Sequence, residues 1–167
     1  MSTTVSAESA QEFLTRAIEL ATANVRNSGG PFGAVVVIAE GQAFDGVNRV
    51  TATNDPTAHA EVNAIRAACT ALGTFDLSGA TLYASCEPCP MCLASALWAR
   101  VEKVVFAADR YDAASVGFDD AAFYEYFENS NRDALMPVSR LVLRDLAAPP
   151  VLQPFTTWNT LESRIDY

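Results

Sequence analysis

Thr81-Leu82-Tyr83-Ala84-Ser85-Cys86-Glu87-Pro88-Cys89-Pro90-Met91-Cys92 is the stretch on which the fold turns. Thr81 to Ala84 reads as a strand. Pro88 is suited to open a helix spanning about Cys89 to Arg100, and Lys103 to Ala107 is a strand again. Working back toward the N-terminus, a helix over about Ala58 to Leu72 stops at Gly73, and Arg49 to Thr57 is a polar loop around Asn54-Asp55-Pro56. Before that loop, Gly33 to Ala39 is a continuous apolar, largely β-branched run, so a buried strand. It turns at Glu40-Gly41-Gln42 into a second strand ending near Val47. The first helix covers about Ala7 to Asn27, with Phe13, Leu14, Ala17, Ile18, Leu20, Ala21 and Val25 at helical spacing, and Gly29-Gly30-Pro31 stops it. Toward the C-terminus lie helical material from about Asp119 to Glu128, a strand over Arg140 to Leu143, and a tail with Pro149, Pro150, Pro154, Phe155, Trp158 and Tyr167. Strands alternating with helices specify an α/β fold with a mixed or parallel sheet covered on both faces.

The 167 residues fit one domain with a single core, and no repeat or linker divides them. No run nears the roughly 18 apolar residues that cross a bilayer, and Met1 to Gln11 carries no signal-peptide pattern, so a cytoplasmic location with reduced thiols is expected. The net charge is −9, from 11 basic against 20 acidic residues. Proteins that grip polyanions do so through Lys and Arg, so nucleic acid is not the expected partner. A small neutral molecule fits better.

The chemistry sits in His59-Ala60-Glu61 and Pro88-Cys89-Pro90-Met91-Cys92. Cysteines at i and i+3 share one helix face, and at a helix start the exposed N–H groups and the dipole favour the thiolate. His59 also stands at a helix start, so two helix ends meeting nose to nose present three ligands to one metal. Two thiolates and an imidazole suit zinc, and three protein ligands leave a fourth position for water, as in catalytic sites. Glu61, two residues from a ligand, flanks such a metal where a proton carrier is needed. Plainer readings compete. A C-x-x-C pair also serves redox dithiol proteins, a disulfide among Cys86, Cys89 and Cys92 is possible, and Cys86 can replace either neighbour as ligand. With Cys86 as a fourth ligand the centre becomes a structural zinc module, which has no use for Glu61.

H-x-E followed by P-C-x-x-C is the known signature of zinc-dependent deaminases, so its presence is a match to a pattern rather than a derivation. Beyond it, Gly29-Gly30-Pro31-Phe32-Gly33-Ala34, Asn54-Asp55-Pro56-Thr57-Ala58-His59-Ala60-Glu61-Val62, Ser85-Cys86-Glu87-Pro88-Cys89, Trp98-Ala99-Arg100 and Gly117-Phe118-Asp119-Asp120 resemble the cytidine deaminase superfamily and, within it, the bacterial guanine deaminases. The resemblance covers nearly the whole chain. It implies a three-layer α/β/α fold with a central five-stranded mixed sheet, and one zinc per subunit held by His59, Cys89 and Cys92. It also implies a homodimer in which the C-terminal segment, about 149–167, is exchanged with or packed on the partner.

By the same resemblance Glu61 shuttles the proton during hydrolytic deamination of guanine to xanthine and ammonia. Asn48 hydrogen-bonds the purine, Phe32 stacks on it, Trp98 lines the pocket and Ala60 contributes to substrate binding. Asp120, with Asp119 its rival, accepts from purine N–H groups, and Tyr167 reaches the substrate across the dimer. Glu125 is a candidate second proton carrier, against the simpler reading of a surface helix glutamate. The chain departs from its relatives at Leu93-Ala94-Ser95-Ala96-Leu97 and in the proline-bearing lead-in Ala147-Ala148-Pro149-Pro150. Guanosine, ammeline and cytosine deaminases are neighbouring readings. A tRNA adenosine deaminase resembles both zinc motifs but needs basic residues that this acidic chain lacks.

Overall fold

A computed structural model describes residues 7–39, 41–129, 132–142 and 150–167. The chain divides into two compact units, Met1–Glu128 and Asn129–Tyr167.

In the first unit the order is α1 (Ala7–Arg26), β1 (Gly33–Val37), β2 (Ala43–Val47), α2 (Val50–Thr53), α3 (Ala60–Leu72), β3 (Thr81–Cys86), α4 (Pro90–Trp98), β4 (Lys103–Ala108), α5 (Arg110–Ser115) and α6 (Ala121–Glu128). The strands form one mixed sheet in the order β2-β1-β3-β4. β1 is antiparallel to both β2 and β3, and β3 is parallel to β4 with α4 as the crossover. Every residue of β1 and β3 is buried, as strands covered on both faces must be.

Alternation along the strands sorts the side chains into two cores. Val35, Val37 and Tyr83 face α1, where Ala17, Phe13, Leu14 and Leu20 meet them. Ala34, Val36 and Leu82 face the other way, onto Ala60, Ala64 and Ala68 of α3 and Ala96 of α4. Alanine at these helix positions lets backbones approach closely, and glycine takes the approach further. A Cβ on Gly33 would lie 2.3 Å from the Ala17 carbonyl oxygen, and one on Gly46 would lie 2.1 Å from that of Ala60. α1 and α3 are thus seated backbone to backbone on opposite faces of the sheet.

The structure corrects several expectations. The sheet has four strands among the described residues, not five: Arg140, Leu141 and Val142 are described and are not in a strand, and Leu143 lies outside the described residues. The segment Ala147-Ala148-Pro149 also lies outside them. Pro90, not Pro88, takes the first helical position of α4, so Cys89 is the cap rather than a residue of the helix. The loop after β2 contains the one-turn α2, closed by Asn54 in the left-handed region at φ 52°. α5 was not anticipated; Asp109 and Asp112 supply reciprocal side-chain caps in a box that the apolar period does not announce.

The second unit holds a 3₁₀ turn (Arg132–Ala134) and α7 (Gln153–Thr160), the latter falling inside the expected tail. No helix among the described residues is long and apolar enough to cross a membrane.

Gly46→Ala is expected to cost about 1–3 kcal/mol, as overpacking against fixed backbone does. Thermal unfolding should register the loss, and an unchanged melting temperature would contradict the close seating of α3 on β2.

Candidate metal centre and active-site cavity

Strand polarity decides where the site forms. Because β1 runs against β3 and β2 against β1, the start of β1, the end of β2 and the ends of β3 and β4 all lie at one edge of the sheet. Ligands of open α/β sheets bind outside the carboxyl ends of the parallel strands. Phe32, Asn48, Cys86 and Asp109 come to this end, each within one residue of its strand or at its last position.

His59 is the N-cap of α3 and Cys89 the N-cap of α4, both with extended backbone (ψ 159° and 167°), while Cys92 lies in the first turn of α4. The ligand atoms meet: His59 Nδ1 is 3.7 Å from Cys89 Sγ and 3.5 Å from Cys92 Sγ, and the two sulfurs are 3.6 Å apart. A tetrahedral ion with metal–sulfur bonds of about 2.3 Å and a metal–nitrogen bond of about 2.0 Å spaces sulfurs about 3.8 Å apart and sulfur from nitrogen about 3.5 Å. The donor set therefore fits zinc in both chemistry and spacing, and it is the sole such cluster among the described residues. Hydrogen bonding from the Cys92 thiol holds the Cys89 thiol down to about 4, with the His59 ring adding to the effect. The Cys92 proton, pushed up in turn by that neighbouring thiolate, is the one a cation displaces.

Cys86 stands apart from this set. Its Sγ donates to the Asp109 carbonyl oxygen at 3.4 Å, and burial pushes its thiol up to about 11. Among the described residues only His59, Cys89 and Cys92 bring donor atoms within 4.8 Å of one another, so Cys86 is not placed as a fourth ligand. All four cysteines are free, which removes the disulfide.

Glu61 occupies the second position of α3 and is 8% exposed. Burial pushes its carboxyl above the usual carboxylate range, with the neighbouring Cys89 adding to the rise. A carboxyl so placed takes up and releases protons nearer neutral pH than a solvated one.

His59, Glu61 and Cys89 line a cavity of about 580 Å³, within the span usual for small-molecule sites. Asn48, Phe32, Asp119 and Asp120 line it as well. Asn48 is buried, and its Oδ1 accepts from the Val50 N–H at 3.3 Å, which orients the amide. Phe32 is half-buried and meets Phe118 edge-on, with centroids 5.0 Å apart at 89°. The two aspartates differ. Asp119 Oδ1 accepts from the Ala121 N–H at the start of α6, whereas burial and the nearby Cys89 push Asp120 up. Ala60 is fully buried at the first position of α3, where a backbone N–H has no carbonyl one turn back.

Other expected residues lie elsewhere. Trp98, at the end of α4, is 67% exposed and is not among the cavity-lining residues. Glu125 is an exposed position of α6 outside the lining, and Tyr167 belongs to the second unit. The sequence reading missed Glu87 and Arg110. Glu87 accepts from the Arg110 N–H at 3.1 Å, and the Arg110 guanidinium lies 4.5 Å over the Tyr124 ring. The Tyr124 hydroxyl donates to the Pro88 carbonyl at 2.8 Å, tying α6 to the cysteine loop. Their position just after β3 and β4, at the carboxyl end of parallel strands, was the available signal.

Comparison with known proteins agrees with this geometry. Residues 7–108 match the model of the cytidine and deoxycytidylate deaminase zinc-binding region. The guanine deaminase of Bacillus subtilis is 43% identical over 158 residues, covering 94% of this chain and 98% of that protein. Its crystal structure superposes with a TM-score of 0.85 over the same shares. A guanine deaminase structure from Nitrosomonas europaea is 33% identical with a TM-score of 0.63, covering 71% of this chain and 67% of that one. With the His59, Cys89 and Cys92 donors spaced for the ion that its matching region names, the chain belongs to the cytidine and deoxycytidylate deaminase zinc-binding family.

Proposed function

We propose that this protein is a guanine deaminase, hydrolysing guanine to xanthine and ammonia with one zinc per subunit. The observation that carries the reading is a buried carboxyl, Glu61, beside a three-donor zinc set at the wall of a cavity that also presents Asn48, Phe32 and Asp120. The near full-length relationship to the Bacillus subtilis guanine deaminase supports the choice of base.

His59, Cys89 and Cys92 hold the metal, which when bound supplies the Lewis acidity that lets a water lose its proton near neutral pH. Asn48, with its oxygen engaged by Val50, turns its Nδ2 protons toward an acceptor on the purine ring. Phe32 stacks on the base, kept in place by Phe118. Asp120 accepts from purine N–H groups, and the N–H of Ala60, at the first position of α3, donates to the substrate. Glu61 takes the proton of the attacking water as oxygen bonds to the carbon bearing the exocyclic amine. It delivers that proton to the adjacent ring nitrogen and carries a second, from the newly added hydroxyl, to the amine; the C–N bond breaks, ammonia departs, and the hydroxyl that gave up its proton is left as the carbonyl. A low-dielectric setting suits this work, because the carboxyl must be base and acid in turn.

The functional unit is a homodimer in which residues 149–167 of one subunit close the cavity of the other and Tyr167 reaches the substrate. Each unit supports this by leaving large apolar side chains uncovered: Leu97 and Trp98 in the first, Phe155 and Ile165 in the second. Trp98 on the surface of α4 is then an interface residue rather than a wall of its own subunit's cavity. Four carboxylates line the cavity against one guanidinium (Glu61, Glu87, Asp119 and Asp120 against Arg110), which disfavours a phosphorylated or polymeric substrate.

Glu61→Gln should retain zinc while activity falls by about 10²–10⁴-fold, the usual worth of general acid–base catalysis. Metal analysis and ammonia release on the same sample check both halves, and full turnover would remove Glu61 from the mechanism. Among guanine, guanosine, adenine, cytosine, cytidine and ammeline, guanine should release ammonia fastest. An inert guanine beside an active alternative would overturn the substrate while leaving the proton shuttle standing. Deleting Tyr167 should raise KM about five- to tenfold, the worth of one hydrogen bond, without changing a dimeric sedimentation coefficient. A monomer in sedimentation, or an unaltered KM, would refute the exchanged-segment reading.

A further inference from the structure

Asn24 lies near the end of α1, outside every motif that points to the chemistry, and its side chain is among the few buried polar groups at 5% exposure. Its Nδ2 donates twice, to the Gly30 carbonyl at 2.9 Å and to the Asn48 carbonyl at 2.8 Å. Two carbonyl oxygens facing one end of the amide fix its orientation, since only the NH₂ end has protons to give. The Asn24 main-chain carbonyl accepts from the Gly29 N–H at 2.8 Å. One residue thus joins the end of α1, the Gly29-Gly30 loop and the residue after β2.

The segments joined are those that carry the cavity's upper wall. Asn48 donates its own N–H to the Phe32 carbonyl at 3.1 Å, so the Asn24 amide and that bond together lock Asn48 to the stretch leading into Phe32. The packing leaves no slack. A Cβ on Gly29 would lie 2.3 Å from Asn24 Nδ2, and one on Gly30 would lie 2.9 Å from Asn48 Oδ1. The glycines preceding Phe32 are therefore shaped around two asparagine amides, not only around the turn they make.

We infer that Asn24 is a positioning residue for purine binding, holding Asn48 and the Gly29–Phe32 segment at the spacing the base requires. The inference rests on the reading of Asn48 and Phe32 as purine contacts. It makes specificity depend on a buried amide that never touches the substrate, acting at the end of β2 beside the bonds that tie the same stretch to α3, from Asn63 Nδ2 to the Val47 carbonyl oxygen and from the Arg49 N–H to that of Ala58, both at 2.9 Å.

The test is made on full-length, zinc-loaded protein. Asn24→Ala should raise KM for guanine about tenfold with kcat changed less than threefold and zinc content unchanged. In an Asn48→Ala background the same substitution should raise KM by less than in the wild type, because the part of its effect carried by the Asn48 side chain is gone and only the part carried by Phe32 remains. Gly29→Ala, which displaces the Asn24 amide without removing it, should reproduce the KM effect should Asn24→Ala fold poorly. Hydrogen exchange supplies an arm independent of substrate: the Asn48 amide should exchange at least tenfold faster in either variant, with the α4 amides unchanged. Multiplicative KM effects of Asn24→Ala and Asn48→Ala, or unchanged exchange at Asn48, would overturn the proposal. If Asn48→Ala leaves KM for guanine unaltered, the purine-contact reading fails by itself, and the exchange result still decides whether Asn24 holds the wall.

Discussion

α3 approaches β2 until the Ala60 carbonyl and the Ala64 amide fill the space where a side chain of Gly46 would stand. His59 caps that helix and Glu61 sits in its first turn, so the depth at which α3 lies on the sheet sets the position of both. α4 packs against α3 through Ala96 and the shared alanine-rich core, and its cap and first turn carry the cysteines. The metal donors converge because two helix ends are indexed to one sheet surface. Small residues keep that indexing tight, since each added methylene between layers would move a donor by a sizeable fraction of the 3.5–3.7 Å spacings that a shared ion needs.

Helix ends also supply the electrostatics. A cap position has extended backbone and precedes a row of unpaired N–H groups, so a thiolate at Cys89 lies in the positive field of α4. Glu61 lies one residue inside the same kind of field in α3, yet burial dominates and drives its proton affinity up. The two acids thus part company in one small volume. Hydrogen bonding lowers the proton affinity of the Cys89 sulfur, while loss of water raises that of the Glu61 carboxyl.

What the sequence disclosed follows from how local each cause is. The runs Gly33 to Ala39 and Thr81 to Ala84 announced strands because burial on both faces demands apolar continuity, and β1 and β3 are those strands. His59 with Cys89 and Cys92 was legible because ligand chemistry restricts residue type. The choice between Pro88 and Pro90 as helix opener was not, because either proline has the φ that a helix start requires, and only the extended backbone of Cys89 shows it to be the cap of α4. α5 went unseen because Asp109 and Asp112, two short acidic side chains in a polar stretch, build it by reciprocal capping, without an apolar stripe. Asn24 was invisible for a similar reason. In sequence it is a polar residue on an amphipathic helix, and only the fold shows that two carbonyls from 6 and 24 residues away close over it.

The site is accordingly assembled by two sets of contacts that meet at the end of β2. The donors and Glu61 hang on α3 and α4 and on the small-residue packing beneath them, Phe32 and Asn48 on the end of α1 and the glycine loop, and the two are joined where Asn63 Nδ2 donates to the Val47 carbonyl oxygen and the Arg49 N–H to that of Ala58. Zinc chemistry requires fixed distances and tolerates no variation in the first set. Phe32 and Asn48 line the cavity without that restriction, because a ring or an amide at a cavity wall need not meet a fixed bond length. Ligand chemistry narrows the residue types allowed at His59, Cys89 and Cys92, which gives a physical reason why H-x-E and P-C-x-x-C identify the reaction class more readily than the base.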